Sequence, residues 1–266
     1  MIDSILEVSF EPELEDLVQA HLFLTRSTGN VLIRRGIIEA YFDTAEDRDA
    51  AAATLRELGA SVSHEERPRL DWLQLYQQSL QPLFVGYSFV IAPDAALIPA
   101  NTGRHALVIP QEQAFGTGSH ETTALCIELL EEIDLRGKRV LDVGSGSGIL
   151  ALAMLRLGAR KAIAFDHDLD TFGPLRENRA RNHADTLSLF IGTIDAVGDT
   201  IFDVAMINIV PEVIIQILPI VKCRVRGFVV LSGILAASRN DVVTAAGLRL
   251  VSEKEKGEWW AGTFSV

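Results

Sequence analysis

Cysteine, basic side chains and long apolar runs are scarce in this 266-residue chain, and each scarcity excludes a class of protein. The two cysteines, Cys126 and Cys223, are far apart in sequence and lack metal-site spacing. A disulfide framework and a cysteine metal centre are thereby excluded. No metal is expected, and both thiols read as the reduced, packed side chains of a cytoplasmic protein. No apolar run reaches the roughly 18 residues of a membrane span. The richest, residues 213–221, is interrupted by Gln216 and Pro219, so no membrane partner is expected. The acidic start, MIDSILEVSFEPELED, lacks the basic opening and small-residue cleavage site of a signal peptide. Lys and Arg number 24 against 36 Asp and Glu, a formal net charge of -12. A nucleic-acid binder carries a basic face, so direct nucleic-acid binding is not expected. A basic protein partner is compatible with the charge, since opposite fields speed encounter. No internal repeat or low-complexity segment is present. With 48% apolar and 23% charged residues, the composition is that of an ordinary globular protein of one large or two smaller domains.

What the chain does have is the run LDVGSGSGI over residues 141–149. Apolar residues around an Asp, three glycines at alternate positions and then the apolar stretch 150–157 predict a buried strand, a tight turn and a helix. Gly144, Gly146 and Gly148 let the backbone pass close beneath a ligand, and the helix start presents free N–H groups. Such a turn at the end of a first strand is a nucleotide-type pocket. The dinucleotide fingerprint spaces its glycines G-x-G-x-x-G. Here the last interval is one residue short, and Ile149 stands where the final glycine belongs, which disfavours a nicotinamide dinucleotide. Asp142, two residues before the first glycine, suits a cationic amino group better than a pyrophosphate. The next strand, 162–165, ends in Asp166, and an acid at that place takes ribose hydroxyls. A ligand with an amino-acid tail and an unphosphorylated ribose satisfies both carboxylates, and S-adenosylmethionine is such a ligand.

The remaining pattern predicts two folded parts and a joint. Residues 1–66 read as strand, helix, two strands, helix, strand, the split βαβ order of a ferredoxin-like α+β domain. The strands fall at 5–10, 31–33, 37–42 and 61–64; Pro12 opens the first helix and Gly59 ends the second, 45–58. Residues 67–110 form the joint: a helical stretch at 70–80, prolines at 82, 93 and 99, and short strands at 87–91 and 106–109. Residues 111–266 alternate helix and strand, which implies an α/β domain with a parallel sheet flanked by helices.

Upstream of the pocket, QAFGTGSHETTALCIELL places Gly116 and Gly118 in a loop and Ser119 as N-cap of a helix running to Ile133. Thr122 and Thr123 add hydroxyl donors at that helix start. Taken together, FGTGSHETT, VLDVGSGSGILALAMLRLGARKAIAFDHD, Ile207-Asn208-Ile209, LSGIL at 231–235 and Glu258-Trp259 resemble one family. It is the bacterial methyltransferase family that modifies ribosomal protein L11 of the large subunit. The resemblance covers the catalytic half, reaches loosely into the joint at Trp72, Pro82 and residues 90–93, and extends to the first 66 residues in layout more than in wording.

The resemblance implies a seven-strand Rossmann-like S-adenosylmethionine-dependent domain preceded by a ferredoxin-like substrate-recognition domain. It implies methylation of lysine side-chain, and N-terminal, amines of a basic ribosomal protein. By motif it assigns Thr123, Gly144, Asp166 and Asn208 to the cofactor, beside Asp142 and Gly146 from the loop reading, with Asn208 also the catalytic residue. Asn208 would follow a parallel strand and sit at the carboxyl edge where ligands bind, its carbonyl accepting N–H bonds and aiming an amine lone pair. The alternative for Asn208 is a turn-capping role.

Departures from the family are Ser145 for cysteine, Phe165-Asp166-His167-Asp168 for Ile-Asp-Ile-Asp, and Val210-Pro211 after Asn208-Ile209, where the proline would stiffen the wall of the acceptor pocket. Amide and base N-methyltransferases carry Asn-Pro-Pro-aromatic here, and the missing aromatic argues against a nucleobase or glutamine acceptor. His120 reads as structural before catalytic, Trp259-Trp260 as core before pocket cover, and Arg176, Arg179 and Arg181 as a solvated helix face. Two alternatives stay open: a methyltransferase for lysines of another protein, such as an electron-transfer flavoprotein subunit, and a non-catalytic S-adenosylmethionine-binding protein.

Overall fold

The computed structural model describes residues 2–25, 27–34, 36–68, 81–110 and 120–266. The chain divides into two compact units, Met1–Gln78 and Ser79–Val266. The expected helix at 70–80, Trp72, and the loop 111–119 with Gly116, Gly118 and Ser119 lie outside the described residues.

In the first unit, β1 (Ile2–Ser9), α1 (Glu15–Leu24), β2 (Ser27–Arg34), β3 (Ile37–Phe42), α2 (Ala45–Glu57) and β4 (Ser61–Pro68) follow the split βαβ order. The sheet order β2-β3-β1-β4, antiparallel throughout, is ferredoxin-like. Pro12 opens a single 3-10 turn, Pro12–Leu14, rather than the helix itself. Thr44 caps α2 by accepting the Asp47 N–H at 3.1 Å. Alternation on β3 buries Ile38, Ala40 and Phe42 against Val18 and Leu22 of α1 and Leu55 of α2.

The second unit begins with a small sheet of β5 (Leu83–Val85), β6 (Phe89–Ala92) and β7 (His105–Val108). These residues belong to the expected joint, yet Val85, Phe89, Ile91 and Leu107 share one core with Leu125, Ile127 and Met154 of the helices that follow. From residue 81 the joint is thus built into the second unit. The side chain of Asn182 pins it there: its amide donates to Val108 O at 2.8 Å while its carbonyl accepts the Val108 N–H at 2.9 Å.

The main sheet holds β8 (Arg139–Val143), β9 (Lys161–Asp166), β10 (Leu187–Ile191), β11 (Phe202–Asn208), β12 (Val225–Leu235), β13 (Arg249–Lys256) and β14 (Trp259–Ser265). Its order is β10-β9-β8-β11-β12-β14-β13. The first five strands are parallel, and β14 enters antiparallel between β12 and β13. The helices are α3 (Glu121–Leu130), α4 (Ile149–Arg156), α5 (Phe172–Arg181), α6 (Pro211–Arg224) and α7 (Arg239–Ala246). Period-two alternation sends neighbouring residues to opposite faces. Val140, Ala164, Met206 and Val230 pack with α3 and α4, whereas Leu141, Phe165, Ile207 and Leu231 pack with α6 and α7. On α5, Arg181 pairs with Glu177 at 3.5 Å. Among the described residues, no helix is long and apolar enough to cross a membrane.

Candidate active site

The sheet order reverses at β8, which pairs with both β9 and β11, so the helices after these strands depart to opposite faces. A crevice opens at the carboxyl ends, where open parallel sheets bind ligands. The glycine turn lines it. Gly144 and Ser145 both donate their N–H to Phe165 O at 3.0 Å, tying the turn to β9. At Gly144 φ is +68°, and a Cβ there would lie 2.5 Å from Ile209 Cγ2; only glycine fits. The turn ends at Gly148, N-cap of α4, which has no side chain to offer the helix.

Asp142 supplies what Gly148 lacks. It shares the face of Val140, toward α4, and its Oδ2 accepts the Ala151 N–H in the first turn at 2.9 Å. The carboxyl is buried, and burial pushes its pKa up to about 7, with the Asp166 charge adding to the rise and the Ala151 bond opposing it. The sequence reading aimed Asp142 at a ligand's amino group. The structure turns it under the helix instead, and it does not line the crevice.

The crevice is a cavity of about 840 Å³. Gly144, Gly146, Asp166 and Asn208 all line it, so four of the six residues read from sequence meet there. Asp166 ends β9; its Oδ2 accepts the Gly146 N–H at 2.9 Å and its Oδ1 the Asp168 N–H at 3.1 Å. Each oxygen keeps a lone pair for a ligand hydroxyl. His167 Nδ1 stands 3.3 Å from Asp166 Oδ1. Beyond it the wall continues through Ile194 and Asp195, after β10, to Val213, Ile217 and Ile220 on one stripe of α6. Sequence reasoning missed these residues. The signal for Asp195 was its place just past a parallel strand; the α6 stripe had only its helical spacing. Pro211 does not line the cavity but opens α6 at its first position, and Ile209 and Val210 form the wall there.

The other end is built by α3, β11 and β14. The N-cap of α3 is His120, not Ser119: its Nδ1 accepts the Thr122 N–H at 3.3 Å and lies 2.8 Å from Thr122 Oγ1. Asn208, last residue of β11, donates from Nδ2 to Thr122 Oγ1 at 3.3 Å. Its Oδ1 is buried and finds no partner among the described residues. Of the two threonines, Thr122 lines the cavity; Thr123, the motif's choice, is buried beside it with a hydroxyl that has no partner among the described residues. Trp259 and Trp260 take opposite faces of β14. Trp259 lines the cavity, edge-on to the His120 ring with centroids 5.1 Å apart, while Trp260 is core and donates to Glu253 at 2.7 Å. Within α3, Cys126 is fully buried, and burial pushes its thiol up to about 12. Alkylation of the folded protein at neutral pH is expected to modify the exposed Cys223 alone, with Cys126 reacting only after unfolding; intact-mass analysis before and after urea checks this.

These residues fit S-adenosylmethionine. Gly144 and Gly146 bring bare backbone to the cavity wall, and Asp166 has lone pairs for hydroxyls. Asp166, Asp168 and Asp195 face the cavity with no Lys or Arg among the described lining residues, which suits a cationic ligand. Fold and site together define an S-adenosylmethionine-dependent methyltransferase with a doubly wound sheet. Residues 8–265 match the family model described as ribosomal protein L11 methyltransferase (PrmA), and the chain belongs to that family. It is 35% identical over 233 residues to a ribosomal protein L11 methyltransferase from Myxococcus xanthus, covering 84% of this chain and 79% of the relative. It is 34% identical over 265 residues to another from Synechococcus sp., covering 96% and 86%. Among solved structures, the ribosomal protein L11 methylase from Lactobacillus delbrueckii subsp. bulgaricus aligns with a TM-score of 0.65 at 25% identity, covering 70% of this chain and 98% of that one.

Proposed function

We propose that this enzyme methylates amino groups of ribosomal protein L11, on lysine side chains and at the N-terminus, with Asn208 receiving the acceptor amine. The observation that carries this reading is Asn208 at the end of β11: it lines a cavity that also holds Asp166 and the glycine turn, and its buried Oδ1 has no partner among the described residues. S-adenosylmethionine, when bound, supplies an electrophilic methyl group on a sulfonium, so the protein need only present a nucleophile. Gly144, Gly146 and Asp166 would hold the cofactor, with the Asp166 carboxylate taking ribose hydroxyls.

A lysine ammonium has an ordinary pKa near 10.4 and no lone pair to attack with. Removing it from water disfavours the charged form and yields the neutral amine. Asn208 Oδ1 then accepts one of its N–H bonds and aims the lone pair; such alignment is worth roughly 7–11 kcal/mol in favourable cases. Trp259 and His120 wall that end of the cavity and exclude water. The methylated nitrogen carries a positive charge and sheds a proton to solvent.

The first unit is read as the substrate-recognition domain. Residues 1–66 hold 14 acidic side chains against 5 arginines and no lysine, a field that draws in a basic protein. The reaction runs inside the cell in this reading, where ribosomal proteins are found. The test is transfer of label from S-adenosylmethionine into a lysate of a methyltransferase-deficient bacterium, with the labelled protein identified by mass spectrometry. Label on L11 amines is the expected result. Label on another protein replaces the substrate, and no label from a preparation that binds cofactor removes the catalytic reading.

A further inference from the structure

The orientation of the Asn208 amide is the most demanding feature of the proposed site, because its two ends do opposite things to an amine. Oδ1 facing the acceptor takes an N–H and leaves the nitrogen lone pair free. Nδ2 in the same place would donate to that lone pair and block attack. The surrounding bonds select between the two. A backbone N–H can only donate, so the Thr122 N–H makes His120 Nδ1 an acceptor. The Thr122 hydroxyl, 2.8 Å from that same nitrogen, must therefore be its donor. With its hydrogen committed, Thr122 Oγ1 can only accept from Asn208, 3.3 Å away, and Asn208 must offer Nδ2. Oδ1 is then the end left to accept, and it is the end found buried and without a partner among the described residues.

We infer that Thr122 is a positioning residue: donating to His120, it locks the Asn208 amide in the orientation that leaves the acceptor's lone pair free. The inference rests on the proposed role of Asn208. A valine in its place would fill the same volume without a hydroxyl, so the decisive variant is Thr122→Val, assayed with purified L11 and with cofactor affinity measured separately by calorimetry. Its kcat is expected to fall at least tenfold while KM for L11 and cofactor Kd move less than threefold. Thr122→Ser, which keeps the hydroxyl, recovers most of the loss. In the Asn208→Ala background, where no amide remains to orient, Thr122→Val costs less than a further twofold. If the valine variant does not fold, His120→Phe carries the test: the Thr122 hydroxyl is then free to donate to Asn208, and kcat falls at least fivefold with cofactor Kd held. A Thr122→Val kcat within twofold of the parent, or losses that multiply with Asn208→Ala, overturns the inference. Asn208→Ala at the parent rate overturns the reading beneath it instead.

Discussion

Asn208→Ala is expected to lower methyl transfer by roughly 10²–10³-fold, the range seen when one preorganised hydrogen-bonding group is removed from an active site. Cofactor affinity, measured by calorimetry on the same preparation, should change far less. The asymmetry follows from placement. Asn208 stands at the end of the cavity walled by Thr122, His120 and Trp259, whereas Asp166, Gly144 and Gly146 belong to β9 and the turn after β8. Alanine removes the acceptor for the amine's N–H and leaves the Asp166 carboxylate and its two backbone donors in place. The strand beneath is unaffected, since Asn208 pairs with Ser232 through backbone alone and Ile207 remains core. A loss in cofactor affinity as large as the loss in rate would assign Asn208 to cofactor holding and withdraw it from the acceptor.

The second large effect is on stability. Asp142 has its pKa raised to about 7 in the fold, chiefly by burial, against an ordinary carboxyl value near 3.9 in the unfolded chain. The folded state therefore binds the extra proton between those values. The contribution is fully present below pH 4 and is lost as pH rises through 7. The size of the shift corresponds to about 4 kcal/mol by pH 8. Asparagine has the shape of the protonated acid and keeps an oxygen for the Ala151 N–H, without a charge to bury. Asp142→Asn is accordingly expected to match the parent in urea unfolding near pH 4 and to exceed it by a few kcal/mol at pH 8, in the absence of cofactor. Asp142→Ala should be weaker than the parent near pH 4, where Asp142 is protonated, because it leaves a cavity and a buried N–H unpaired. Equal pH slopes for parent and Asp142→Asn would show that the carboxyl titrates normally despite its burial.

The matched region, residues 8–265, spans the two units, so the first unit falls within the family match. Of the departures from the family pattern, Phe165, His167 and Val210 line the cavity, whereas Ser145 and Pro211 do not. His167 reaches Asp166, and Val210 is an exposed apolar residue at the mouth next to Asn208.

Much of the site was legible in the sequence because its parts are local. A strand, a glycine turn and an apolar helix are specified by residues within one short run, and LDVGSGSGI can do little else. Asp166 and Asn208 were legible for a related reason: each ends a parallel strand, and all parallel strands bring their carboxyl ends to one edge. Which way a side chain at such a place points is a different matter. Asp142 looked poised beneath the loop, but strand parity puts it on the face of Val140, where α4 lies, and the nearest donor is a helix N–H. Thr122 and Thr123 are adjacent on one helix, and only the seating of α3 on β12 and β14 decides which hydroxyl meets Asn208. Trp259 and Trp260 divide between cavity and core by the same alternation, read against layers that local sequence does not place. Asp195 and the α6 stripe join the wall only because the crossovers bring β10 and α6 to the crevice from distant parts of the chain. Local sequence sets the elements and the residues at their ends, since backbone geometry has a short range. Which of those residues share a cavity is settled by how the layers pack, and that is a property of the whole fold.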